Sequence, residues 1–117
     1  MPLPTVLYVL DADRNPVPCK DVAAWSLFFA DFDRHRRVAF DEIAPGVTVS
    51  TVFLGIDHGW GSGRPVLFET MVFDDYEEGQ HQWRCCTWDE AEAQHEEVVA
   101  MVRARIAQAA TVSGGST

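Results

Sequence analysis

Between two apolar runs, residues 50–54 and 66–73, the chain carries Asp57, His58, Trp60 and Arg64 in a loop with glycine at 55, 59, 61 and 63. Those types suit ligand recognition. Glycines let backbone amides approach a bound group. Arg64 offers a planar fork to a phosphate or carboxylate, and Trp60 offers a face on which a base or ring can stack. The spacing matches neither the GxxxxGK[ST] phosphate loop nor the dinucleotide fingerprint. The alternative is a plain hairpin connection with solvent-facing polar groups, and the sequence leaves both open.

Glu69 follows on the apolar run 66–73. A carboxylate on such a strand needs a partner, because an unpaired buried charge is too costly. His58, Arg64, Arg84 and His95 are the candidates. An arginine partner makes the pair structural; a histidine partner makes acid/base work conceivable. The ligand-binding set expected on these grounds is Asp57, His58, Trp60, Arg64, Glu69 and Arg84.

The histidines, at 35, 58, 81 and 95, show no HxxxH or HExxH spacing, so no metal and no cofactor is expected. Cys85, Cys86 and Ser50 are possible nucleophiles without a local signature such as GxSxG, so no catalytic residue is assigned. Three cysteines, two of them adjacent, point to reduced thiols in a cytosolic protein.

The elements that must position these residues read as follows. Residues 5–10 form a strand, and 11–16 a turn that Pro16 closes. Asp21 caps a helix over 21–33, whose Val22, Trp25, Phe28, Phe29 and Phe32 form an aromatic core stripe. Residues 38–43 and 47–54 form a hairpin. Residues 66–73, apolar on both faces, form a central strand, and 82–86 a last short one. Thr87 and Glu90 make a capping box that opens a helix over 88–109. Its apolar stripe is Trp88, Ala91, His95, Val98, Val102 and Ile106, with His95 expected as a core histidine hydrogen-bonded to the sheet. The fold class is therefore α+β: a small antiparallel sheet of about five strands with two helices packed on it. One domain over 1–110 and a disordered tail over 111–117 complete the expectation.

The 117 residues fit one domain, and 47% hydrophobic residues suffice for a core. No apolar run is long enough to cross a membrane, and the start lacks the basic region of a signal peptide. The net charge is −9, with 11 acidic and 4 basic residues in 47–117 against 7 and 5 in 1–46. Non-specific nucleic-acid binding, which needs phosphate neutralisation, is excluded. The basic cluster at 34–37 is a solvated helix end, where cations favour the helix dipole.

The strings YVLDAD at 8–13 with Pro16 and Pro18, VSTVFLGIDH at 49–58, Pro65 with LFETMVF at 67–73, and TWDEAEA at 87–93 with His95 carry a resemblance over most of residues 6–103. The chain resembles a family of small proteins of bacteriophages, prophages and their bacterial hosts. That family has no established activity to transfer. The resemblance implies context: a phage-type accessory protein in the bacterial cytosol. The expected function is non-enzymatic binding, as a homo-oligomeric sponge, of a nucleotide-like ligand derived from a host defence signal. Two alternatives stand beside it: an acidic inhibitor of a host protein, and a small enzyme using Glu69 with His58 or Arg64.

Overall fold

The computed structural model describes residues 6–31, 35–59, 63–75 and 81–115, with backbone alone for 111–115. The expectations for Trp60, Phe32 and Arg34, and for most of the acidic loop after Asp74, lie outside that set, as do the side chains of the expected tail.

The elements run β1 (Leu7–Leu10), β2 (Pro16–Cys19), α1 (Val22–Ala30), β3 (Arg37–Ala44), β4 (Val47–Phe53), β5 (Phe68–Asp74), β6 (His81–Cys85) and α2 (Trp88–Gly115). The fold is α+β with two helices. In place of one sheet of about five strands there are two antiparallel sheets, β1-β2 and β3-β4-β5-β6. The difference lies at Pro16 and Pro18. Proline lacks an amide donor but is tolerated on an edge strand, so 16–19 folds back on β1 with Leu7 opposite Cys19 and Leu10 opposite Pro16. The resulting ribbon touches the end of β4 through Tyr8 N–H, which donates to the Gly55 carbonyl at 2.8 Å.

β5 is central, between β4 and β6. Its register sets Val72 beside Val49, Thr70 beside Thr51 and Phe68 beside Phe53. These side chains are buried, together with Ala91, Val98, Val99 and Val102 of α2. The core falls into two apolar clusters. One holds Val47, Val49, Val72, Val98, Val99 and Val102; the other holds Phe53, Leu67, Phe68 and Ala91. Thr51, Thr70 and His95, all buried, form a polar layer between them.

Both caps form as expected. The Asp21 side chain accepts from the amides of Ala23 and Ala24. Thr87 Oγ1 accepts from Glu90 N–H, and Glu90 Oε1 accepts from Thr87 N–H. Ile106 is exposed because α2 outruns the sheet.

The aromatic stripe of α1 is not core: the helix has no buried residue. Val22 and Leu27 face solvent, Leu27 at 78% exposure. Trp25, Phe28 and Phe29 of the expected stripe do turn inward and are half-buried, Phe28 against the Phe53–Phe68 cluster, whereas Val22 is exposed. Trp25 and Phe29 stack at 4.4 Å, and Phe28 meets Phe53 edge-on at 5.9 Å. The helix walls the molecule at that end rather than filling it.

Candidate functional site

A cleft of about 710 Å³ opens between the β1-β2 turn, the end of α1, β3 and the first turns of α2. That volume suits a small ligand. Each wall follows from local sequence. In the turn, Asp11 Oδ1 accepts from the amides of Asp13 and Asn15, both at 2.9 Å. This local bonding is what aspartate does in turns. It leaves Arg14 in the left-handed region at φ 65°, uncommon for a non-glycine residue. The Arg14 guanidinium sits 4.7 Å over the Trp88 ring. The Trp88 indole N–H donates to the Glu92 carboxylate one turn along.

On the opposite wall Phe28 and His35 stack at 4.6 Å, nearly parallel, and His35 Nδ1 donates to the Phe28 carbonyl at 3.0 Å. Arg37 joins this wall, with its guanidinium 5.0 Å from the Phe40 ring. Asp11, Asp41, Glu92 and Glu96 bring carboxylates to the lining, and His95 reaches it from the core. Aromatic faces and charges of both signs thus surround one space.

The floor is the most ordered part. His95 is 4% exposed, whereas the Asp41 side chain is 47% exposed. His95 Nε2 lies 2.7 Å from Asp41 Oδ2. His95 Nδ1 lies 2.8 Å from Thr51 Oγ1, which lies 2.7 Å from Thr70 Oγ1. Thr70 donates to Gln94 Oε1 at 3.1 Å, and Gln94 Nε2 donates to the Arg84 carbonyl at 3.4 Å. Among the described residues no buried side-chain nitrogen or oxygen lacks a partner. His95 is therefore the core histidine the helical stripe implied, and it also ties the core to the cleft.

The residues expected to bind a ligand fall elsewhere. Asp57 Oδ1 accepts from the amides of Gly59 at 2.7 Å and Val66 at 2.8 Å, so it clamps the neck of its own loop. His58 N–H donates to the Val66 carbonyl at 2.9 Å and closes the same neck. Arg64 leaves Glu69 alone and meets Glu90 at 3.3 Å on the surface. Glu69 and Arg84, opposite each other on β5 and β6, pair at 2.9 Å. The structure brings only these last two together, in the structural form of the pairing. None of Asp57, His58, Arg64, Glu69 or Arg84 lines the cleft.

Nucleophiles are poorly placed. Thr51, the hydroxyl beside His95, is fully buried. Burial pushes the Cys85 thiol up to about 11, with help from the Glu90 charge and from Cys86, so its thiolate is scarce near neutrality. Among the described residues no three His, Cys, Asp or Glu side chains are grouped to hold a metal ion. None of the described helices is long and apolar enough to cross a membrane.

Sequence reasoning passed over Asp41, Arg14 and Trp88 as site residues. Asp41 was detectable, since it aligns with Val49 on the inward row of β3-β4 and a carboxylate there needs a partner. Arg14 and Trp88 are 74 positions apart in the chain and meet only in the fold.

Comparison with known proteins finds no matching family model, no matching curated protein and no matching solved structure.

Proposed function

We propose that this chain is a non-enzymatic binding protein whose ligand, small and nucleotide-derived, sits in the cleft beside Trp88 and Asp41 rather than in the 57–64 loop. The observation that carries this reading is the cleft itself, about 710 Å³ with its floor fixed by the buried His95 network. Arg14 layered on Trp88, and the Phe28–His35 stack, supply flat surfaces, against which a base can stack. Arg14 and Arg37 supply cations for an anionic tail. The buried Thr51 hydroxyl and the protonated Cys85 thiol support binding without covalent chemistry. The phage-type resemblance of residues 6–103 extends the proposal to sequestration of a host defence signal in the bacterial cytosol.

Native mass spectrometry of purified protein, with analysis of what denaturation releases, tests this. A stoichiometric nucleotide-like compound, released chemically unchanged, is the expected result. A bare protein whose Trp88 indole NMR signal and melting temperature ignore a broad nucleotide panel would overturn it.

A second reading rests on α1. A helix with no buried residue and with Val22 and Leu27 outward is an apolar surface of the kind that meets other proteins. It supports the expected homo-oligomer, whose mass the same spectrum gives. The α2 carboxylates of Glu90 and Glu97, on one side of the helix, and of Glu92 and Glu96, on the cleft side, support the inhibitor version, with a basic host protein as partner. Capture that weakens as salt rises would favour it.

A further inference from the structure

We infer that the Asp41 carboxylate is the specificity-determining group of the cleft, and that it selects a ligand presenting paired N–H donors from the edge of a flat ring, of the amidine or guanine type. This rests on the ligand-binding reading above and names the chemistry of the ligand.

The inference follows from counting hydrogens along the buried chain. The Arg84 carbonyl can only accept, so Gln94 turns its amide NH₂ toward it and its oxygen toward Thr70. A threonine hydroxyl has one hydrogen. Thr70 gives its hydrogen to Gln94, so at the 2.7 Å contact Thr51 is the donor. Thr51 has then used its only hydrogen, and at 2.8 Å His95 Nδ1 must donate to it. These four links all point the same way, from His95 inward.

The remaining contact, His95 Nε2 to Asp41 Oδ2, also needs a hydrogen between its atoms. Asp41 keeps half its surface in water, and its carboxylate oxygen is the acceptor of this contact. The hydrogen therefore belongs to Nε2, and His95 donates with both nitrogens.

The Asp41 carboxylate thus faces the cleft as an acceptor. Among the described residues, Oδ1 has no hydrogen-bond partner, and Oδ2 keeps a second lone pair. Two parallel N–H donors match that carboxylate as a fork. Asp11, Asp41, Glu92 and Glu96 outnumber Arg14 and Arg37 in the lining, which favours a cationic or donor-rich edge beside Asp41. The Phe28–His35 stack in the lining gives such a ligand a flat wall to pack on.

Benzamidine and benzoate have nearly the same shape and opposite donor patterns, so they isolate the selection. Each would be titrated into the ¹⁵N-labelled full chain while the Trp88 indole and His95 ring signals are followed. Benzamidine should move both, and bind at least about tenfold more tightly than benzoate, the gap expected of about 1.4 kcal/mol. In Asp41→Asn, whose amide can also donate, the preference should shrink to about twofold or less. In the free protein both His95 ring nitrogens should carry bonded hydrogen. Equal binding of the two probes, or tighter benzoate, overturns the selection while leaving the cleft a ligand site. A His95 nitrogen without hydrogen overturns the account of Asp41. Cleft signals that ignore both probes at saturating concentration overturn the ligand-binding reading and this inference together.

Discussion

His95 Nε2 and Asp41 Oδ2 meet at 2.7 Å across 54 residues of chain, where the polar layer of the core reaches the cleft. The contact joins the third turn of α2 to the edge strand β3. His95 also bonds Thr51 at 2.8 Å, so one side chain serves both the sheet interior and the cleft floor. His95→Ala removes both bonds and leaves a void between the two apolar clusters. The expected loss is about 2–4 kcal/mol from unmet polar groups and the cavity. Asp41→Ala leaves the buried His95 Nε2 without its acceptor but keeps the Thr51 bond and opens no void, so it should cost less, about 1–2 kcal/mol. Urea denaturation of the two variants checks the order; equal losses would show that the layer does not extend inward from Asp41.

Glu69 and Arg84 make the opposite kind of pair, one that faces away from the cleft. Glu69 is nearly buried, its side chain 11% exposed, whereas Arg84 is 39% exposed. Arg84→Ala should therefore destabilise by about 2–3 kcal/mol, because it strands a carboxylate. Replacing both residues by Met should recover most of that loss, since a well-packed apolar pair often equals a buried ion pair. A double variant as unstable as Arg84→Ala would contradict this account.

Gly55 shows how the two sheets are held together. It lies at φ 75°, and its carbonyl accepts from Tyr8 N–H and from the Trp25 indole at 3.3 Å. A Cβ there would stand 2.9 Å from Phe29 and 3.2 Å from the Trp25 nitrogen. Phe29 has little room to yield, being stacked on Trp25 and covered by the Arg36 guanidinium at 3.5 Å. Gly55→Ala should cost about 1–2 kcal/mol for the left-handed backbone alone, and more for the clash. Thermal melting checks it, and an unchanged midpoint would mean that α1 does not press on this turn.

The four-stranded sheet, both caps and the core position of His95 were legible because each is written in local sequence. Alternation along 47–53, the Thr87–Glu90 spacing and the helical stripe through Ala91, His95 and Val98 are short-range patterns. The β1-β2 ribbon was not legible, since Pro16 reads as a block until an edge position tolerates it. The inward face of α1 was legible in the spacing of Trp25, Phe28 and Phe29, but its half-covered state was not, because helical spacing carries no measure of burial. The cleft was hidden for another reason. Its walls come from the Asp11–Asn15 turn, from β3 and from the start of α2, and no motif spans such separations. The glycine-rich loop drew the eye through residue types alone, yet Asp57 and His58 close its neck with their own hydrogen bonds.

Cys85 gives a prediction in which pH carries the sign. Burial raises its thiol from 9.0 to about 11, and the Glu90 charge and neighbouring Cys86 add to the rise. The folded state thus holds the proton more tightly than the unfolded chain does. Its contribution to stability is complete below pH 9, where both states are protonated. As pH climbs from 9 toward 11 the unfolded thiol ionises first, so that contribution is progressively lost. Cys85→Ala should flatten the fall in urea stability over this window. Alkylation reports the same shift directly: at Cys85 the iodoacetamide rate should keep rising with pH to about 11. Glu90→Gln, which removes one of the causes, should move that profile downward. A rate that levels off near pH 9 would place the Cys85 thiol in water rather than against the sheet.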